Sequence, residues 1–183
     1  MTPLRTLEQF LRTNTNPDAY LFTIADLEGL VPQISRPAWK MVLNRTVKTG
    51  LLVRVCRGIY LYEAPNRPKG RELYHVAGKI RNGDFTYLSQ ESVLSDLGII
   101  SQVPLQRITV MTTGRSGLLS CGPWGTVEFT HTKKKPETLM DELTYDSSLR
   151  LYRASASLAW QDLKAAGRNL DLVDQEALLG HIL

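Results

Sequence analysis

Ser35-Arg36-Pro37-Ala38-Trp39-Lys40-Met41-Val42-Leu43-Asn44-Arg45-Thr46-Val47-Lys48-Thr49-Gly50, then Leu51-Leu52-Val53-Arg54-Val55, Cys56-Arg57-Gly58 and Ile59-Tyr60-Leu61-Tyr62, is the stretch whose reading decides the fold. It predicts one helix followed by a two-stranded hairpin. Ser35 offers a hydroxyl to cap the helix, and Pro37 is tolerated in a first turn, where backbone amides have no helical partner in any case. Gly50 suits the left-handed residue that ends a helix. Leu51–Val55 and Ile59–Tyr62 are runs of aliphatic, β-branched and aromatic residues of the kind that form strands. Gly58, in the three residues between them, takes positive φ without penalty in a tight turn.

At 100° per residue, Ala38, Trp39, Val42, Leu43, Thr46 and Val47 share one side of the helix. Lys40, Asn44 and Lys48 follow one another at i, i+4 and i+8 on the other, with Met41 and Arg45 beside them. A helix followed by a short hairpin is the second half of a winged helix-turn-helix, in which the helix enters the major groove of double-stranded DNA and the hairpin tip lies near the backbone or minor groove. Lys and Arg suit phosphates and guanine edges, and Asn pairs with adenine. The candidate DNA-contacting residues are therefore Arg36, Lys40, Met41, Asn44, Arg45, Lys48, Arg54 and Arg57. The competing reading is the ordinary one, a solvated polar face on a surface helix.

Charge separates the two readings. The chain of 183 residues has a net charge of only +4, but residues 1–81 hold 13 Lys/Arg against 6 Asp/Glu, and residues 82–183 hold 9 against 12. Between Glu28 and Glu63 stand six basic residues and no acidic one. This block coincides with the helix and hairpin, and concentrated positive charge is the footprint of a polyanion partner. No apolar run approaches the ~20 residues of a membrane span, and the N-terminus lacks the charged-then-apolar pattern of a secretion signal. Cys56 and Cys121 form neither a disulfide framework nor a metal-ligand spacing. The expectation is a reduced, cytoplasmic protein without a membrane partner.

Around this centre the expected fold class is α+β: a winged helix-turn-helix over 1–64, a linker and joining helix over 65–82, and an α/β C-terminal domain with a smaller sheet over 83–183. Leu4–Leu11 has helical apolar spacing, Tyr20–Phe22 is a short apolar stretch, and Thr23 caps a helix over Ile24–Leu30. Arg71–Ile80 reads as the joining helix. Further on, strands are expected at Phe85–Leu88, Arg107–Thr112, Leu118–Cys121, Thr126–Thr130 and Leu149–Tyr152. Helices are expected over Gln90–Leu97, capped by Ser89, over Ala156–Ala166, capped by Ser155 and ended by Gly167, and over Leu172–Leu183. Lys133-Lys134-Lys135 reads as a solvated loop.

Features of an enzyme are missing. His75, His131 and His181 lie far apart without carboxylate or cysteine at ligand spacing. Gly114-Arg115-Ser116-Gly117 lacks the length and lysine of a phosphate loop. Asp141-Glu142 are adjacent, so on a regular element they do not face one another. Neither catalysis nor a cofactor is expected.

Three phrases in order carry a resemblance: Lys48-Thr49-Gly50-Leu51-Leu52-Val53-Arg54-Val55-Cys56-Arg57-Gly58-Ile59-Tyr60; Tyr87-Leu88-Ser89-Gln90-Glu91-Ser92-Val93-Leu94 with Leu97-Gly98-Ile99-Ile100; and Ile108-Thr109-Val110-Met111-Thr112. Arg153-Ala154-Ser155, followed by Leu158-Ala159 and Asp162-Leu163, continues the pattern. Over roughly residues 5–165 the chain resembles the AbiEi family, the antitoxins of type IV abortive-infection toxin–antitoxin systems. The resemblance implies a winged-helix repressor that binds promoter inverted repeats of its own operon. It also implies a C-terminal domain that counters a nucleotidyltransferase toxin encoded beside it, whether or not the two proteins touch. The chain looks shorter at its C-terminal end than many members. The alternatives are a stand-alone winged-helix regulator, a protein-interaction module, or a regulator whose second domain senses a small ligand.

Overall fold

Two sheets, each with its own core, organise the chain in a computed structural model that describes residues 2–14, 16–101 and 106–182. The fold is mixed α+β, and it divides into two compact units, Met1–Glu72 and Leu73–Leu183.

The first unit runs α1 (Pro3–Asn14), β1 (Leu21–Thr23), α2 (Ile24–Glu28), α3 (Arg36–Lys48), β2 (Val53–Cys56) and β3 (Ile59–Leu61). Its strands pair antiparallel in the order β1-β3-β2, with Leu61 opposite both Leu21 and Val53. The apolar spacing of α1 buries Leu7 and Leu11 against Phe22, Leu27, Trp39, Leu43, Leu52 and Tyr60. Each such side chain contributes about 1.5–3 kcal/mol on leaving water. Thr23 starts α2 with a reciprocal cap: its hydroxyl accepts from the Asp26 amide at 3.1 Å, and the Asp26 carboxylate accepts from the Thr23 amide at 2.6 Å. The stretch around Tyr20–Phe22 proves to hold a strand. Three residues are too few to show alternation, and β1 exists because its backbone completes the β3 edge.

The exit from this unit is closed by Arg67. Its guanidinium makes two 2.8 Å hydrogen bonds to Glu63, one of 2.6 Å to Glu72 and one to the Pro68 carbonyl, and stacks 5.6 Å above the Tyr20 ring. The Arg67 hydrogen bonds hold the Glu63 carboxyl below its usual range.

The second unit contains α4 (Glu72–Ile80, from its second residue), β4 (Thr86–Leu88), α5 (Gln90–Asp96), β5 (Arg107–Thr112), β6 (Gly117–Ser120), β7 (Thr126–His131), β8 (Leu143–Asp146), β9 (Leu151–Ala154), α6 (Ala156–Ala166) and α7 (Gln175–Ile182). The sheet order is β6-β7-β5-β4-β9-β8, with β5–β7 and β4–β9 parallel and the other pairs antiparallel. With six strands it is the larger sheet, not the smaller one expected. Helices α5 and α6 pack together, against β5 and β9 respectively. Gly78 brings α4 close to β9: a β-carbon there would lie 3.3 Å from the Leu151 side chain.

Asp162 of α6, almost fully buried, is the polar centre of this unit. It accepts hydrogen bonds from Tyr87 at 3.0 Å and Ser89 at 2.7 Å, and pairs with Lys134 at 2.8 Å. Burial first, and then the Asp162 charge, push the Tyr87 phenol far above its ordinary value, so it remains a donor. Asp162 also explains two departures from expectation. Ser89 stands at the start of α5 but makes no side-chain cap, because its hydroxyl is turned to Asp162. The middle lysine of 133–135 is not simply solvated, whereas Lys133 and Lys135 are exposed.

Several boundaries also shift, among them β2 at Val53–Cys56, β6 at Gly117–Ser120 and the end of α2 at Glu28. The strand expected at Leu149–Tyr152 begins at Leu151, because Arg150 adopts φ +56° and breaks extension. The edge strand β8, which no expectation covered, alternates apolar and polar residues over only four positions, and its burial does not follow that alternation. The last helix starts at Gln175 after a 3-10 turn at Leu170–Leu172, and its expected end at Leu183 lies outside the described residues. Ser155 and Gly167 bound α6 where expected, the hydroxyl accepting from the Leu158 amide at 3.1 Å and Gly167 taking φ +65°.

Arg67→Ala leaves Glu72 buried without its cation and is expected to lower stability by about 3–5 kcal/mol, read from urea unfolding. Glu63 is 56% exposed, so Glu63→Gln is expected to cost no more than about 1 kcal/mol. A lowered folded-state pKa stabilises above the unfolded value and stops doing so as pH falls through the folded one. The stability gap between wild type and Glu63→Gln is therefore expected to be full at neutral pH and to close below pH 4.5.

Candidate nucleic-acid interface

Helix α3 begins where Ser35, in extended backbone, accepts a hydrogen bond from the Ala38 amide at 3.4 Å, with Pro37 in the first turn. Trp39, Leu43 and Thr46 are buried, and Ala38, Val42 and Val47 half-buried, so the apolar stripe read from the sequence is the packed side. The Thr46 hydroxyl donates to the Leu43 carbonyl at 2.7 Å, whereas the buried Trp39 indole N–H has no hydrogen-bond partner among the described residues. The helix end is equally determined. Gly50 takes φ +75°, and the Thr46 carbonyl accepts from the amides of Leu51 at 2.9 Å and Leu52 at 3.2 Å. The chain thus turns directly from α3 into β2.

Burying that stripe exposes the opposite one. Lys40, Met41, Asn44, Arg45 and Lys48 all face solvent. Arg54 is exposed on β2, and Arg57 is exposed in the turn, where Gly58 at φ +88° reverses the chain. Pairing between β2 and β3 slips between Arg54 and Cys56, a bulge of the kind that increases strand twist. Among the described residues, Arg36 alone of the eight candidates has an acidic partner, Glu28 at 2.9 Å. That pair joins the end of α2 to the start of α3, so Arg36 helps close the turn between them rather than standing free with the rest.

Away from this face, two of the three histidines read as isolated have local partners, His75 Nε2 bonding the Ser148 carbonyl at 2.9 Å and His131 Nδ1 the Gly114 carbonyl at 2.8 Å, and His181 is exposed on α7. Among the described residues no three His, Cys, Asp or Glu side chains gather as a metal site requires. Cys56 and Cys121 are buried and not joined in a disulfide. No described helix is long and apolar enough to cross a membrane.

The second unit has one feature that sequence reading did not find. A shallow cleft of about 210 Å³ is lined by Arg81, Asp84, Phe85, Tyr145, Arg150 and Tyr152, among others. Tyr152 lies 5.3 Å from the Tyr145 ring and 5.6 Å from that of Phe85. Arg81 is already engaged, donating to the Arg115 carbonyl at 2.8 Å and covering the Phe129 ring at 4.7 Å. The lining comes from three separate segments with no spacing in common, so no sequence signal pointed to it.

Comparison with family models and with curated proteins finds no match for this chain. What the molecule does has to be read from its own surface.

Lys40→Ala, Asn44→Ala and Arg57→Ala are each expected to change stability by less than about 0.5 kcal/mol, as surface substitutions do. Trp39→Ala is expected to cost about 3–5 kcal/mol. Urea midpoints of the four variants check both expectations.

Proposed function

We propose that the first unit is a winged helix-turn-helix through which the protein binds double-stranded DNA and represses transcription. In this reading α3 enters the major groove and the β2–β3 hairpin is the wing. One observation carries it: the only long acid-free, basic stretch of the first half folds so that its apolar positions are buried and its lysines, asparagine and arginines face water. The order α1-β1-α2-α3-β2-β3 with sheet order β1-β3-β2 supports it, because that is how a winged helix is assembled. The roles divide by chemistry. Lys40, Lys48, Arg54 and Arg57 contact phosphates and set affinity, whereas Asn44 and Arg45 are the donors suited to base edges.

The resemblance to the AbiEi antitoxins extends the reading. The binding site would be the inverted repeats of the protein's own promoter, and the second unit would counter a nucleotidyltransferase toxin encoded alongside. Co-expression with the adjacent open reading frame tests this part: restored growth supports antitoxin activity, and continued arrest leaves a repressor alone. On this reading no catalytic residue or cofactor is needed.

DNA binding is tested by a mobility-shift titration on the upstream promoter region. Log affinity is expected to fall against log salt with a slope of about −0.9 per phosphate neutralised. Lys40→Ala and Arg57→Ala are expected to reduce that slope by about one each while weakening binding to all duplexes alike. Asn44→Ala is expected to cost about 1–3 kcal/mol on the operator alone. Unchanged binding in all three variants would discard this face.

A further inference from the structure

We propose that Met41 reads the 5-methyl group of a thymine, so that α3 selects duplexes with A·T pairs at the step it covers. The proposal rests on the DNA-binding reading above. Met41 is 63% exposed, against 36% for Val53, the other exposed large apolar residue among the described residues of the first unit. At about 100° per residue it stands roughly 160° around α3 from both Trp39 and Leu43. It therefore sits at the crest of the solvent face, the position that would reach deepest into a groove. Lys48 and Arg45 share that crest, and Lys40 flanks it.

A thioether at this point leaves most of its surface in water in the free protein, and helix formation does not demand it, since a charged or polar residue of similar propensity would serve. The edges that bases present in the major groove are hydrogen-bond donors and acceptors, with one apolar exception, the thymine methyl. Methionine is suited to that target: it is unbranched, polarisable and flexible enough to adapt to an irregular surface. Asn44 lies three residues on, about 4.5 Å further along the axis and roughly 60° around. That advance is close to the ~3.4 Å spacing of successive base pairs. Asparagine bonds adenine bidentately through N6 and N7. The two side chains thus call for neighbouring A·T pairs, one through a methyl contact and one through paired hydrogen bonds. Contacts from lysines to phosphate carry no such information.

The test uses the full chain. Duplexes retained from a random pool are sequenced, and in the preferred site each thymine is replaced in turn by deoxyuridine, which removes only the methyl. Affinities are measured for wild type and Met41→Ala. The expected result is one thymine whose replacement weakens wild type about fourfold, the worth of one buried methyl. Met41→Ala should bind both duplexes equally, and Asn44→Ala should lose the preference for A·T at the adjacent pair. If wild type keeps a sequence preference but no thymine responds, or if Met41→Ala retains the full difference, the methyl contact is wrong and DNA binding stands. If no duplex is retained even at low salt, DNA binding fails and the proposal fails with it.

Discussion

The packing of Trp39, Leu43 and Thr46 into the first core sets the rotation of α3, and the rest of the proposed surface follows from it. An α-helix has only one rotation that buries a given stripe. With these three side chains inside, the residues on the far side of the helix have nowhere to go but water. The magnitudes are one-sided. Removing a buried tryptophan costs about 3–5 kcal/mol. The Trp39 indole N–H finds no hydrogen-bond partner among the described residues, a penalty of about 1–3 kcal/mol. Packing exceeds that cost, so the helix keeps its rotation.

The second unit solves a different problem. Its core includes a carboxylate, and a buried charge is tolerated only when paired and hydrogen-bonded. Asp162 meets that condition with Tyr87, Ser89 and Lys134. A similar arrangement holds Glu91, which accepts hydrogen bonds from Arg168 at 3.2 Å and Asn169 at 2.9 Å. In both cases residues distant in sequence meet at one acid, so β4, α5, α6 and the loops around them are tied together by direction-dependent bonds as well as by apolar packing.

This contrast accounts for what the sequence disclosed. Local signals were legible: the Ser35, Thr23 and Ser155 caps, the Gly50 and Gly167 stops, the stripe of α3 and the alternation of β5 each depend on residues within a turn or two. All eight candidate contact residues are exposed, as the helix and hairpin reading required, although Arg36 is also engaged with Glu28. What escaped depends on distant partners. β1 and β8 are strands because a neighbour's backbone needs them, Ser89 abandons its cap for a residue far along the chain, and the aromatic cleft is assembled from three segments. Periodicity and propensity describe what a segment prefers by itself, and these are cases in which the preference is overruled from elsewhere.

The Thr46 carbonyl, shared by the amides of Leu51 and Leu52, has a mechanical consequence. It welds the last turn of α3 to the first residues of the hairpin, so the two cannot swing independently without breaking backbone bonds. On the proposed reading, the angle between rod and ribbon is set by the protein before any duplex arrives.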